Sequence, residues 1–300
     1  MKKKTYLFAL MAMVLTLGSC SDNENGIGGE TSKYITVSTS IGNMTRVATD
    51  EKGGQTFEEG DEISVYAWTG DATVAPETRE RVVNNAINKL TNGSWVSTPQ
   101  MLWKNNRDKH YFIGVYPISA ISDLSAGEYT FDVNKQTESD LLVAVNKDGL
   151  SYNVDEQQPV PLTFTHVMAK LVVNLTYKNQ WGGIPTVEKV VVGNAAKEAT
   201  INYLTKVVTP STTAKEDFSL PEITENTKYV SVIIPQEEVK QLTIVIGGKN
   251  FVYDNGTPFK LESGKITTVN LEVGRDEIKL GDVKITDWED GSTFSGEAIN

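Results

Sequence analysis

Tyr34 to Ile41 reads YITVSTSI, an alternation of apolar and polar residues with a period of two. Ile35, Val37 and Ile41 share one face, and polar residues fill the other. Successive side chains of an extended chain point to opposite faces, so this stretch reads as a strand with one buried side. DEISVYAW (Asp61–Trp68) repeats the pattern, with Ile63, Val65 and Ala67 set against Ser64, Tyr66 and Trp68. HYFIGVYP, MAKLVVNLTY, VEKVVVG, KYVSVIIP, QLTIVIGG and ITTVNLEVG are further β-branched or aromatic runs. Gly, Asn, Asp and Pro clusters separate them, as turn residues separate strands. Many short strands with turn signals between them predict an all-β chain built of sandwiches.

Two segments set the organisation. RVVNNAINKL (Arg81–Leu90) also fits a helical stripe through Val82, Val83, Ala86, Ile87 and Leu90. TNGSW (Thr91–Trp95) follows it with the Asn-Gly signal of a tight hairpin, so strand–turn–strand is expected. DEQQPVP (Asp155–Pro161) places two prolines among polar residues, which stops a strand. A boundary is expected there, with one sandwich domain over residues 34–158 and another over 159–300.

The N-terminus carries its own signal. Lys2, Lys3 and Lys4 precede an apolar run from Tyr6 to Leu17, followed by the small residues Gly18 and Ser19 and then Cys20. This is the layout of a secretory signal peptide over residues 1–19, far short of the ~20 apolar residues of a transmembrane helix. LTLGSC resembles a bacterial lipoprotein signal, in which cleavage leaves the cysteine first and lipid is attached to it. Stable anchoring needs more than one acyl chain, at roughly 0.8 kcal/mol per buried methylene. A multiply acylated Cys20 meets that need. Ser21 to Glu24 (SDNE) resembles the acidic export tag of surface lipoproteins, and the Gly-rich stretch after it completes a flexible tether over residues 20–33. Cys20 is the single cysteine of the 300 residues. Its use as an anchor leaves no thiol for disulfides, thiolate metal sites or nucleophilic catalysis.

The formal net charge is −11. Removing the leader with its lysines makes it more negative still, which disfavours nucleic acid as a partner. HExxH, GxSxG, P-loop and GxGxxG patterns are absent. His110 and His166 both lie in strand runs and read as hydrogen-bonded structural residues. Carboxylate pairs such as Glu58 with Asp61 sit in turn sequences. A non-enzyme without cofactor or metal is expected. Of the five tryptophans, Trp68 and Trp103 sit in strand patterns, whereas Trp181 in NQWGGIP lies in a loop and is the one expected to be exposed.

Several phrases in order resemble the fimbrillin family of Bacteroidales. They are TRVATDEKGGQTFEEGDEISVYAW, MLWKNNRDKHYFIGVYP, ESDLLVAVNKD, LTFTHVMAKLVVNL and ITDWEDGS, spanning about Thr45 to Ser292. The resemblance implies two transthyretin-like Greek-key β-sandwich domains and assembly into fimbriae that serve cell adhesion. It implies a lipidated precursor carried to the outer membrane surface. It implies an Arg-specific cut between Arg46 and Val47, which removes the N-terminal strand and lets a strand of another subunit fill the groove. Val47 stands where the family's better-known shaft subunits carry Ala. The ligand of such a fimbria would be a host or bacterial surface. Alternation and terminal position make EIKLGDVKITDW the expected donor strand, with Val283 and Ile285 on one face and Trp288 nearby. The alternative expectation is an unpolymerised outer-membrane lipoprotein that binds glycans or anchors fimbriae.

Overall fold

Asn92 and Gly93 turn the chain back on itself with φ of 50° and 73°. Positive φ at both central residues is what a two-residue hairpin of matching twist requires, and Asn-Gly adopts it at low cost. The strands on either side, Arg81–Thr91 and Ser94–Thr98, therefore form the hairpin expected from the sequence. The helical stripe through Val82 and Leu90 is overruled by this turn and by pairing on the other edge.

The structure is a computed structural model and describes residues 33–42, 56–153 and 158–288. Cys20, Arg46 and Val47 lie outside the described residues. The first strands are β1 (Val37–Ile41), β2 (Glu62–Thr69), β3 (Arg81–Thr91), β4 (Ser94–Thr98), β5 (His110–Tyr116) and β6 (Gly127–Thr130). They are followed by β7 (Leu142–Leu150), β8 (Val160–His166), β9 (Ala169–Tyr177), β10 (Val187–Ala196), β11 (Glu198–Asn202) and β12 (Val207–Pro210). The remainder are β13 (Lys215–Ser219), β14 (Glu222–Thr224), β15 (Lys228–Ile233), β16 (Gln236–Ile246), β17 (Lys249–Leu261), β18 (Lys265–Val273) and β19 (Ile278–Asp287). Helix among the described residues is confined to single turns.

A seven-stranded sheet runs β1-β8-β7-β5-β2-β3-β4. All its pairs are antiparallel except β1 with β8. A five-stranded sheet runs β14-β15-β9-β18-β19, a four-stranded one β13-β10-β16-β17 and a three-stranded one β12-β11-β6. The sheets stack in a sandwich-like arrangement, and the fold is all-β.

The centre of the seven-stranded sheet, β2 and β5, is buried on both faces, and β2 shows why its alternation is apolar twice over. Ile63, Val65 and Ala67 join one cluster with Phe112, Leu162 and Phe164. Tyr66 and Trp68 join a larger cluster with Ile113, Val143 and the apolar residues of β9, β10 and β16. The larger cluster is the interior that this sheet shares with the C-terminal strands. β8 follows the expected boundary at 158/159 yet sits in the seven-stranded sheet beside β1 and β7. The chain passes from the seven-stranded to the five-stranded sheet between His166 and Ala169. β6 pairs with β11 across the same divide.

Gly114 lies at the centre of the seven-stranded sheet. A Cβ there would meet the Phe164 ring at 2.7 Å and Leu162 at 3.2 Å. The ring is buried and cannot swing aside, so Gly114→Ala should overpack the smaller cluster. The expected loss is about 1–3 kcal/mol, read from urea unfolding midpoints; an unchanged midpoint would show that the cluster is loosely packed.

Candidate functional site

The chain from Lys33 to Gly42 closes the smaller cluster. Its inward residues Ile35, Val37 and Ile41 are only 2%, 6% and 5% exposed. The alternating Thr36, Ser38 and Ser40 face solvent, so the expected one-sided strand is present. Two neighbours hold its backbone. At its start, Ile35 N–H donates to Met101 O (2.9 Å) and Trp103 N–H to Lys33 O (3.2 Å). Further on, β1 runs parallel to β8, from Val37 opposite Val160 to Ile41 opposite Phe164. Val160 N–H donates to Thr36 O and Gly42 N–H to Phe164 O, both at 2.8 Å.

Side chains tie β1 to the far edge of the sheet. Trp95 Nε1–H, on β4, donates to Thr39 Oγ1 at 3.0 Å. Phe57 meets Trp95, Tyr116 and Phe164 edge-on, with ring centroids 5.1–5.5 Å apart. The sheet therefore curls until β1 and β4 approach, and β1 is the strand that seals the curl. Burying three β-branched side chains is worth roughly 1.5–3 kcal/mol each. Their sum is comparable to the ~5–15 kcal/mol net stability of a domain. Loss of this strand would leave an apolar groove and a row of unpaired backbone groups along β8, an edge that templates another strand.

A groove of about 600 Å³ opens beside the end of β1, walled by Ile41, Phe57, Tyr116, Leu142, Val232 and Trp288. Glu58, Asp61 and Asp140 also face it, together with Lys170, so its rim carries more acidic than basic groups. Tyr116 OH lies 3.5 Å from Asp61 Oδ1. Burial first and the Asp61 charge second push the Tyr116 hydroxyl above the usual tyrosine range, so it stays neutral here.

The expected donor residues lie on β19, the outer strand of the five-stranded sheet. Val283 opposes Val269 and packs against the larger cluster. Ile285 opposes Thr267 but is 39% exposed. Trp288 follows the strand, and its ring stacks on His166 at 3.9 Å and 5°.

Both histidines are satisfied within the fold. His110 accepts from Lys104 N–H at Nε2 (3.0 Å) and faces Asp108 O through Nδ1 (3.1 Å). Burial lowers its pKa. His166 Nδ1 lies 2.8 Å from Asp140 Oδ1, a contact between residues 26 apart that no local pattern announces. Trp181 departs from expectation. It sits in a single helical turn, is half-buried, donates through Nε1–H to Val273 O (2.9 Å) and packs edge-on against Phe251. An indole N–H that finds a carbonyl draws the ring inward, so this loop residue is no open aromatic platform.

The geometry defines an all-β protein sealed by an edge strand at its N-terminus. A family model described as fimbrillin-like matches residues 45–288, from just after β1 to Trp288. The chain belongs to the fimbrillin-like family. It is 25% identical to a candidate fimbrium subunit, Fim1C, of Bacteroides uniformis over 316 aligned residues, which cover 97% of each chain. A crystal structure of a candidate cell adhesion protein of Bacteroides uniformis superposes with a TM-score of 0.64 at 20% identity, covering 86% of this chain and 100% of that one. One of a candidate cell adhesion protein of Bacteroides ovatus gives 0.63 at 18% identity, covering 85% and 98%. The two structures share this fold.

If β1 is held mainly by its apolar face, Val37→Asp should detach it, because a carboxylate cannot be buried unpaired against Val160. The strand can peel away instead of burying the charge. Stability should then fall by about the 1.5–3 kcal/mol of one apolar side chain or somewhat more, and limited proteolysis should release residues 33–42 first. Unchanged stability and protease resistance would mean that the side chain contributes little to the seal.

Proposed function

We propose that this fimbrillin-like chain is a fimbrial subunit made as a lipoprotein and assembled by strand exchange, serving cell adhesion. One observation carries the reading: the strand just upstream of Arg46 is an edge strand that seals an apolar groove. A cut between Arg46 and Val47 would remove residues 34–41 together with the lipid on Cys20, and the groove along β8 would open. A strand from another copy fills such an edge with main-chain hydrogen bonds and with alternate side chains in pockets. A contact of this head-to-tail kind does not close on itself, so it generates filaments.

The donor in this reading is β19 with Val283, Ile285 and Trp288. Its outer position and shallow packing support that role. The leader and Cys20 direct the precursor to the outer membrane, and the tag after Cys20 directs it to the cell surface. The partners are other subunits, the membrane through the lipid, and a host or bacterial surface at the end of the fimbria. The protein works as two sandwich domains over residues 34–158 and 159–300, with β8 of the second range completing the seven-stranded sheet of the first.

Two chains test the proposal in vitro, one beginning at Lys33 and one at Val47. The first should stay monomeric. The second should form ladders that resist detergent, and removing Asp282–Asn300 from it should abolish them. Equal behaviour of the two chains, or normal ladders after the deletion, would contradict strand exchange through these segments.

A further inference from the structure

Strand β19 is an outer strand, held by its ladder with β18, by Asn270 Nδ2–H donating to Asp282 Oδ1 at 2.6 Å and by an ion pair between Lys265 and Asp287. It pairs with β18 on one edge only, and Ile278, Leu280 and Val283 are its apolar contacts with the larger cluster. None of its residues is fully buried. Its one aromatic stack among the described residues lies just past its end. The Trp288 ring lies parallel to the His166 imidazole at 3.9 Å, and the Trp288 backbone N–H donates to Gly264 O at 3.0 Å. The Lys170 ammonium sits 5.3 Å from the ring centroid. Asp140 holds the imidazole in place through Nδ1, so the surface that receives the indole is fixed.

His166 is the last residue of β8, the strand that β1 covers. Pairing of β1 with β8 ends at Phe164, two residues earlier. Ile41 and Trp288 wall the same groove. One strand thus borders the β1 groove and, at its end, grips the chain's own C-terminal strand.

We infer that Trp288 is a clasp that keeps β19 on its own subunit, an autoinhibitory contact that an incoming strand running past Phe164 would contest at His166. The inference rests on the strand-exchange reading for its purpose, but the clasp itself is a property of the monomer. It separates two needs of a self-assembling subunit. The donor strand must be available at assembly, and it must not be presented earlier, when a free edge invites promiscuous pairing.

Hydrogen exchange of the chain beginning at Lys33 tests the clasp. Trp288→Ala should speed exchange of the β19 amides and their β18 partners by about tenfold, the size of an aromatic-pair contribution, and leave β2, β5 and β7 unchanged. His166→Gln, which removes the stack from the other side, should do the same if the first variant folds poorly. Trp288→Phe should restore most of the protection. Unchanged β19 exchange, or an equal rise over every strand, would overturn the clasp. The ladder assay on the Val47 chain reports separately on strand exchange. Ladders with unaltered β19 exchange in the variants would overturn the clasp alone. A selective rise in β19 exchange supports the clasp even where the Val47 chain makes no ladders, a result that would count against strand exchange only.

Discussion

The pairing of β1 with β8 is the constraint on which the N-terminal half depends. It sets Val37 and Ile41 beside Val160 and Phe164, and with Ile35 and Leu162 these side chains close one apolar cluster. The contact spans more than 120 residues of chain. It is also the one parallel pair in its sheet, and parallel ladders are slightly weaker per residue than antiparallel ones. Its strength therefore lies in the apolar face more than in the ladder. In the proposed assembly, a strand held in this way would be replaced by that of another subunit. A segment with the same alternation would recover the burial, and one that runs the other way would gain the stronger antiparallel ladder as well.

The two faces of the seven-stranded sheet divide the work. The concave face makes the small cluster that β1 seals, and the convex face joins Tyr66, Trp68 and Val143 to the C-terminal strands. Removing β1 exposes the first cluster and leaves the second intact. The chain can thus lose a strand without losing the larger interior, which is what an assembly step based on strand removal requires of a subunit.

Much of this was legible in the residues. YITVSTSI announces its buried side because one face is polar. Asn92-Gly93 announces its hairpin because the turn needs positive φ at both positions. DEISVYAW was harder: both faces are buried, so its alternation marks two different cores and not inside against outside. DEQQPVP suggests a boundary because prolines stop a strand, whereas β8, which follows it, pairs with β1 and β7 in the seven-stranded sheet. Strand order is a long-range fact that proline placement does not encode. Trp181 read as exposed because its neighbours are loop residues, whereas its N–H is drawn to Val273 O from 92 residues away. The stack of Trp288 on His166, braced by Asp140, joins three distant segments and had no local signal beyond a histidine in a strand.

In the proposed assembly the sealing strand is temporary. Fimbriae sheared from cells that make this protein provide the direct test, through the N-terminal residue and intact mass of the subunits in the polymer. If the sealing strand is temporary, these chains begin at Val47 and carry no lipid. Polymer built of chains that begin at lipidated Cys20 and retain Tyr34–Ile41 would contradict it.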